Sequence, residues 1–494
     1  MKKRTPKVLA VLLLATMLIP NLIACHSSDR NEASQTTASM QATLSSDPAA
    51  TETEPASLFE QLPKTSYGGK QFNILQPSQQ SYEFAEELNG DLVNDAVYTR
   101  DMTIEDTYDI DLHYIAESGD WGSRQSFLGL IRNSVLAEDG AYDLVNGMTS
   151  IIMPITMEGV FHDYARLDGI HFDDPWWAAD IYENLQIADK LYTITGSSML
   201  SMYKTTYVMY ANTDLIEQYQ LEDPIGLVLN GKWTMEAFLN MTVGQSRDLN
   251  SDGKMTGDDF YGFASRELTT RGFQTAFDLD LIARNSDGTL SYLGGSERYF
   301  NAVDKINTLL RNENDRYITA DGNSTSLINM FTSNNVILLN ETIETTEFLR
   351  DMESNFVILP QPKYDEAQEE YHVQMGTATG MFAIPVTADE EMAVDVLNAH
   401  GCLSYTDVVP AYYENALKLK YTRIPENMEV IDLINRSIML DITYAHNYTI
   451  NQNLTQMFTK HTYGGTDAAS NLASLTKPLE KVLGNIYEKY AALD

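Results

Sequence analysis

The sequence is poor in cysteine and in basic residues, and both shortages limit what the protein can do. Only Cys25 and Cys402 occur among 494 residues, so a disulfide framework is excluded. Lysine and arginine total 33 against 70 aspartate and glutamate, which gives a formal net charge of −37. Such an excess of negative charge repels nucleic acid and anionic lipid headgroups. We therefore expect neither as a partner, and the charge says nothing about the fold.

Catalytic motifs are missing as well. The sequence contains no H-E-x-x-H, no G-x-S-x-G and no paired C-x-x-C. Residues 226–232 have the spacing of a phosphate-binding loop, but Trp233 stands where a magnesium-binding Ser or Thr is required. We interpret Trp233 as a buried aromatic residue and Thr234 as the N-cap of a helix. Because carboxylates are abundant, a glycosidase pair stays open as an alternative, although nothing singles one out.

The N-terminus has the pattern of a bacterial lipoprotein signal. Four basic residues precede an apolar stretch over residues 8–19, which is too short to span a bilayer stably. The following Leu22-Ile23-Ala24-Cys25 resembles a lipobox, whose cysteine becomes the lipidated N-terminus of the mature protein. An ordinary signal peptide with a chance cysteine is the alternative. We predict a signal peptide over residues 1–25, lipidation at Cys25, and a position at the extracellular face of the cell membrane.

Residues 26–66 are rich in Ser, Thr, Ala, Glu and Gln and have almost no large apolar side chains before Leu58. Such a segment cannot bury enough surface to offset its ordering entropy, so it is predicted to be a flexible tether. No second stretch of eighteen apolar residues follows it. Cys402 lies in an apolar helical context and is predicted to be a buried small hydrophobic residue rather than a catalytic thiol.

The body of the chain alternates strand and helix patterns. Residues 72–75, 110–114 and 142–145 read as strands, and apolar residues at helical spacing lie between them. This β-α-β-α-β order predicts a parallel, doubly wound sheet. Ligands of such sheets lie beyond the carboxyl ends of the strands, so residues 146–150 are predicted to form a ligand loop.

The same pattern returns later in the chain. Ser296 is placed to cap a helix, and residues 336–339 and 381–384 read as buried strands. Residues 387–390 have the form of a capping box that opens a further helix. The last hundred residues are mostly helical by pattern.

Residues 248–259 resemble the twelve-residue calcium loop of an EF-hand. Gly253 falls at position 6, where the chain must turn sharply, and an aspartate replaces the usual glutamate at position 12. An acidic turn without metal is the alternative. Because there is one such loop, we expect calcium to stabilise the structure and to leave ligand choice alone. The expected metal ligands are the side chains of Asp248, Asn250, Asp252 and Asp259 and the carbonyl of Lys254.

Several short stretches, in this order and spacing, resemble the extracellular solute-binding proteins of ABC importers, the branch linked to sugars and oligosaccharides. The matching stretches are residues 142–145, 174–177, 191–196, 210–212, 231–234, 248–262, 359–365, 383–385 and 410–413. The resemblance implies an α/β fold of the type II periplasmic-binding-protein kind, with two sheet-centred lobes joined by hinge crossings near residues 195–204 and 370–381.

The resemblance also implies a domain layout and a working partner. Residues 67–200 are expected to form the first part of lobe 1, and residues 201–372 the first part of lobe 2. Residues 373–494 are expected to return to the first lobe and to supply C-terminal helices shared by both. A monomer that binds a solute in the cleft and delivers it to the ABC transporter permease is implied, with no catalysis.

Sugar rings present apolar faces and a girdle of hydroxyls, so their sites combine flat aromatic side chains with polar groups. Position in the implied fold and residue type together give the ligand-binding candidates. These are Asn146, Met148, Thr149, Trp176, Trp177, Ser198, Met199, Tyr203, Thr377, Thr379 and Tyr412.

Three alternatives to a carbohydrate-binding protein remain. Related binding proteins take peptides or other solutes. A secreted glycan-active enzyme is the second alternative, and a surface adhesin or scaffold is the third.

Overall fold

The computed structural model of the protein describes residues 57–319, 324–413, 424–450 and 454–493. The predicted signal peptide, the lipidation site Cys25 and residues 26–56 of the predicted tether lie outside these residues. The prediction is wrong for residues 57–66, which belong to the folded body: Phe59 and Leu62 pack against its core, and the Pro63 carbonyl accepts a hydrogen bond from Tyr108. Within the described ranges, no helix combines the length and the apolar character needed to cross a membrane.

The strands of the described residues follow in chain order. They are β1 Lys70–Pro77, β2 Ile110–Glu117, β3 Leu144–Met148, β4 Tyr207–Asn212, β5 Tyr261–Arg266, β6 Ile282–Arg284, β7 Leu290–Tyr292, β8 Arg316–Thr319, β9 Val336–Thr342, β10 Phe356–Leu359, β11 Val373–Gln374, β12 Gly380–Ala383 and β13 Ile438–Met439.

The α-helices of the same residues are α1 Leu92–Tyr108, α2 Arg124–Ala137, α3 Thr149–Ile152, α4 Ala179–Leu185, α5 Leu200–Lys204, α6 Thr213–Gln218, α7 Pro224–Leu229, α8 Met235–Thr242, α9 Glu267–Thr270, α10 Phe273–Ala276, α11 Glu297–Leu310, α12 Ser324–Thr332, α13 Thr346–Leu349, α14 Glu390–Leu403, α15 Asn427–Arg436, α16 Ile442–Ala445, α17 Asn447–Ile450, α18 Met457–His461 and α19 Ala468–Ala491.

The first sheet has the strand order β12-β3-β1-β2. β1 runs parallel to both β2 and β3, and β12 pairs antiparallel with β3 at the edge. Helix α1 connects β1 to β2: Asp91 accepts hydrogen bonds from its first turn, and Val97 and Ile104 bury its apolar face. The predicted parallel β-α-β-α-β arrangement is confirmed, with one antiparallel strand added.

The second sheet has the order β10-β4-β9-β5-β8. β5 runs parallel to β8 and β9, whereas β4 lies antiparallel to β9 and β10. The central strand β9 is buried along its whole length. Its apolar half over residues 336–339 is the predicted strand, and it runs on through the polar residues Asn340 and Glu341. We call the part built on the first sheet lobe 1 and the part built on the second sheet lobe 2.

The chain passes between the two sheets three times. It leaves lobe 1 after β3 and enters lobe 2 at β4, and it returns between β10 and β12. Ile194 on the outward passage pairs with Phe382 on the return. Helix α14 packs on α1 of lobe 1, whereas α15 packs on β10 and α7 of lobe 2, which makes the third passage.

Several local predictions are confirmed. Trp233 is fully buried and Thr234 caps α8 by accepting a hydrogen bond from Ala237. Ser296 caps α11 in the same way, and the end of the chain is helical. Cys402 is fully buried, and burial raises the pKa of its thiol to about 11, as suits a packed residue rather than a nucleophile.

Two local predictions are wrong. Residues 146–150 do not form a loop: Asn146 to Met148 pair with β12 and so continue β3, and Thr149 begins α3. The predicted capping box also fails, because the helix begins two residues later than expected. Asp389 is its N-cap and accepts from Met392, so the acceptor is the third residue of the predicted box and not the first.

We predict that Ser296→Ala destabilises the protein by about 1 kcal/mol, because the Tyr299 N–H of the α11 first turn loses its acceptor at 3.1 Å. Denaturant unfolding measures the change. Thr308→Ala, on an exposed position of the same helix, is the control and should change stability by less than about 0.5 kcal/mol. Equal effects of the two substitutions would show that the cap contributes nothing.

Candidate functional site

The carboxyl ends of the parallel strands in lobe 1 meet at one edge of the first sheet. The 3-10 segment Ser78–Glu83 follows β1, and α3 follows β3 at the same edge. Because β12 is antiparallel, residues 377–379 reach this edge from the other direction. Ligands of α/β sheets bind beyond such an edge.

Hydrogen bonds join these segments into one polar cluster, most of which is buried. The side-chain amide of Gln80 donates to the carbonyl of Ala378 at 2.6 Å, and Asn146 donates to Gln80 at 3.2 Å. The N–H of Thr149 donates to the carbonyl of Thr379 at 2.8 Å. The structure therefore brings together Asn146, Thr149 and Thr379 with their neighbours Met148, which pairs with Gly380, and Thr377, which accepts from Ser150. Within the described chain, the side-chain carbonyl of Asn146 has no hydrogen-bond partner.

The corresponding edge of lobe 2 carries a buried ion pair. Arg266 ends β5, and its Nε lies 2.6 Å from the fully buried carboxylate of Glu341 on β9. Burial raises the pKa of Glu341, and the neighbouring guanidinium opposes the shift. Gln274 on α10 lies in the same part of the lobe and is 1% exposed. Neither polar atom of its side chain has a partner among the described residues.

The buried carboxylate of Glu83 fastens α5, on the outward passage, to lobe 1. It accepts the N–H groups of Leu200 at 2.9 Å and Ser201 at 2.8 Å, which are the first two residues of α5. Ser201 in turn accepts the N–H of Gly380 at 2.9 Å. Burial raises the pKa of Glu83, while these N–H groups and the Arg100 guanidinium favour its charged form. Both crossings are thereby held to lobe 1 at this point.

A cavity of about 400 Å³ lies between the two lobes beside α5. We call it the cleft cavity. Tyr82 reaches it from lobe 1, Glu347 from lobe 2, and Lys204 and Tyr412 from the crossings. The Lys204 ammonium pairs with Glu347 and lies 5.1 Å from the ring centroid of Tyr82 and 5.5 Å from that of Tyr412. Phe84 lines the same cavity. The volume lies in the usual range of small-molecule sites, about 300–1,000 Å³.

A second cavity of about 660 Å³ lies on another face of the crossings. We call it the hinge-side cavity. Trp176, Trp177 and Tyr203 line it, together with Tyr413 and the last turns of α15. Its lining includes no residue from the segments that follow β1, β3, β5 or β9. It is larger than the cleft cavity, but its position does not fit the carboxyl-end rule, so we assign the candidate site to the cleft.

The eleven predicted ligand residues thus divide among separate places. Tyr412 lines the cleft cavity, and the five polar-edge residues from Asn146 to Thr379 lie at the edge of lobe 1. The two tryptophans and Tyr203 line the hinge-side cavity. Ser198 and Met199 are 2% and 1% exposed and line neither cavity. Met199 packs where a side chain at Gly380 would have to stand.

Three residues of the cleft cavity, Tyr82, Lys204 and Glu347, are not among the predicted ligand residues. Tyr82 lies beyond the carboxyl end of the first strand, so the rule that selected residues 146–150 would have found it there. Lys204 directly follows the selected Tyr203. Nothing distinguishes Glu347 in a chain with 70 acidic residues.

In the calcium-type loop, two of the aspartate carboxylates accept hydrogen bonds from backbone N–H groups of the same loop. Asp248 accepts from Ser251 at 2.6 Å and from Gly253 at 2.8 Å. Asp259 accepts from Leu249 and Thr256, and these bonds lower the pKa of its carboxyl. Among the residues that the structure describes, no three carboxylate, imidazole or thiol groups converge so as to hold a metal ion. Calcium binding stays a prediction.

Helix α16 packs on α3 of lobe 1 and on β6. Asp441 caps it by accepting the N–H of Thr443 at 2.7 Å. Burial, together with the nearby carboxylate of Asp280, raises the pKa of Asp441 to about 7.

No family model matches this sequence, and no curated protein sequence matches it. Solved structures do match its fold. One is the galacto-N-biose/lacto-N-biose I-binding protein of the ABC transporter from Bifidobacterium longum, in complex with lacto-N-biose. It has a TM-score of 0.55 and 12% identity, covering 85% of this chain and 98% of that chain.

A cyclo/maltodextrin-binding protein complexed with maltotetraose has a TM-score of 0.55 and 10% identity, covering 84% of this chain and 97% of that chain. UgpB from Mycobacterium tuberculosis, in complex with glycerophosphocholine, has a TM-score of 0.55 and 13% identity, covering 85% of this chain and 100% of that chain. Identities this low establish the fold alone. The chain has the two-lobed α/β fold of ABC-transporter solute-binding proteins.

We predict that Asp441→Asn removes a fall in stability between about pH 4 and pH 7. A carboxyl whose pKa is raised on folding keeps its proton over this range while the unfolded chain loses it, so stability decreases as pH rises. Asparagine caps a helix as well as aspartate does, so the cap is retained. Melting temperatures from pH 4 to 8 should vary less in the variant than in the wild type. If the melting temperatures of the wild type and the variant depended on pH in the same way, the raised pKa of Asp441 would be contradicted. The exposed Asp168→Asn serves as the control.

Proposed function

We propose that this protein is the extracellular solute-binding protein of an ABC importer and holds a carbohydrate in the cleft between its lobes. The observation that supports it best is the cleft cavity, where the segments beyond β1 and β9 contribute side chains to one cavity. In this fold the lobes move about the crossings, and a solute that contacts both lobes favours the closed form.

The side chains of the cleft favour an uncharged, hydroxyl-rich solute. Three cations at the cleft already have anionic partners in the chain: Lys204 is paired with Glu347, Arg350 with Asp351 and Arg266 with Glu341. An anionic solute would have to compete with these carboxylates, and displacing the fully buried Glu341 would leave its charge uncompensated, which is costly. Tyr82, Tyr412 and Phe84 offer rings for the apolar face of a sugar, and the charged groups can bond to its hydroxyls.

The wider proposal follows the sequence. Cys25 carries lipid that anchors the chain at the extracellular face of the membrane, and the part of the predicted tether that precedes the folded body, residues 26–56, links the monomeric body to it. The permease subunits of the importer receive the solute. The protein performs no chemistry on the solute.

We predict that Tyr82→Ala weakens carbohydrate binding by roughly tenfold or more, because a tenfold change needs only about 1.4 kcal/mol. The same loss is expected for Lys204→Met, which also leaves the Glu347 carboxylate without its cationic partner. A thermal-shift screen of neutral oligosaccharides first identifies a ligand, and calorimetric titration then compares the variants. Lys305→Met, on an exposed ion pair of α11, is the control and should bind as the wild type does.

Two outcomes would contradict this proposal. Unchanged affinity in both cleft variants would show that the solute does not bind in the cleft. Sustained release of product from the bound oligosaccharide would instead indicate a glycan-active enzyme.

We also predict that calcium raises the melting temperature of the protein and that a chelator lowers it, with no change in solute affinity. The loop over residues 248–259 supplies the ligands, so Asp248→Asn with Asp252→Asn should abolish the calcium effect. Neither carboxylate packs in the core, so this variant should fold without metal. A wild-type melting temperature that does not change with calcium would contradict calcium binding.

A further inference from the structure

The hinge-side cavity touches both lobes. Residues 175–181 form one wall and belong to lobe 1, because this segment precedes the outward passage and Trp177 pairs with Gly196. Residues of α15 form the opposite wall, and α15 packs on β10 and α7 of lobe 2. A molecule bound here would therefore contact both moving parts without entering the cleft.

The floor of this cavity is aromatic. The rings of Trp176 and Trp177 lie 6.3 Å apart between centroids, and those of Tyr203 and Tyr413 lie 5.4 Å apart and nearly perpendicular. The polar residues of its lining are Asp180 on one wall and Asp432, Asn435 and Arg436 on the other. Aromatic rings together with carboxylates, an amide and a guanidinium match the apolar face and hydroxyl edge of a sugar ring.

Buried donors in its walls lack acceptors. The Nε1 atoms of Trp176 and Trp177 and the hydroxyl of Tyr413 have no hydrogen-bond partner among the described residues. The three side chains are 3%, 6% and 3% exposed. Each of these atoms is fully buried, so a guest would reach them only after the side chains turned toward the cavity. An indole N–H can only donate, so such a guest would have to offer oxygen acceptors, as saccharide hydroxyl groups do.

The tryptophan pair is fastened to the outward passage. Ser197 donates its N–H to the carbonyl of Trp176 at 2.9 Å. Gly196 has a φ of 145°, and a Cβ there would lie 2.4 Å from the same carbonyl oxygen, so only glycine allows this close approach. The passage continues directly into α5 and Lys204 of the cleft cavity. Anything that holds the tryptophans against α15 therefore also restrains the crossing.

We propose that the hinge-side cavity is a second saccharide site, distinct from the cleft, whose occupancy biases the movement of the lobes. The saccharide class rests on the proposed function, whereas the existence of a second site does not.

The test counts binding sites on the full chain by calorimetric titration with maltose, cellobiose and lactose. Intrinsic fluorescence is followed in parallel, since two of the four tryptophans line this cavity. Asn435→Ala with Arg436→Ala, which we call the rim variant, removes polar groups from the lining of the cavity, where the side chains carry little of the core. Tyr82→Ala is the matched change in the cleft, and Lys305→Ala is the surface control.

We expect two equivalents of one of these sugars to bind the wild type. The rim variant should still bind one equivalent. The apparent affinity measured from its fluorescence change should fall by at least tenfold. Tyr82→Ala should lose the other equivalent and keep the fluorescence change. The surface control should match the wild type.

A single equivalent in the wild type overturns this inference, whatever the rim variant does, and leaves the proposed function standing if Tyr82→Ala abolishes that binding. Two equivalents that both survive the rim substitutions also overturn it. Binding of none of the three sugars overturns the second site for the saccharides tested, and the wider oligosaccharide screen on the cleft then decides the proposed function separately.

Discussion

The arrangement of the cleft depends on one buried carboxylate. Glu83, at the end of the segment beyond β1, accepts the first two N–H groups of α5 from 117 and 118 residues away in the chain. Removing a carboxylate from water is costly, and these bonds with the nearby Arg100 offset part of the cost. If the contact were lost, two buried N–H groups would also lose their acceptors. Tyr82 and Lys204 meet in the cleft because Glu83 holds their two segments together.

The same contact divides the outward passage into two parts. α5 is bonded to lobe 1 through Glu83 and to the return strand through Ser201 and Gly380. Its last residue, Lys204, pairs with Glu347 of lobe 2. The ion pair of the cleft therefore spans the boundary between the lobes, whereas the hydrogen bonds of α5 stay within lobe 1. Under the proposed function, a solute beside Lys204 would contact both lobes.

The sequence predicted what depends on neighbours along the chain. Ser296, Thr234 and the buried Trp233 follow from local capping and burial, and the first three strands follow from apolar alternation. It could not predict which aromatic residues share a cavity. Tyr412 and Tyr413 are consecutive residues of the helical stretch that follows α14, and their side chains point apart, so Tyr412 lines the cleft cavity while Tyr413 lines the hinge-side cavity. Tyr203 and Lys204 separate in the same way. The loop predicted after β3 failed for a related reason, since only the distant β12 extends that strand.

The strong acidity of the chain does not set the charge of its ligand. Interactions between exposed charges fade beyond about 8 Å at physiological salt, so the net charge of −37 acts mainly on solubility. Inside the cleft the local pairs decide, and there Glu341 faces Arg266 and Glu347 faces Lys204. Burial also raises the pKa of Glu344 beside them, which disfavours a further negative charge. A protein that is acidic overall can therefore present a nearly neutral site, in which hydroxyl groups compete on geometry and not on charge.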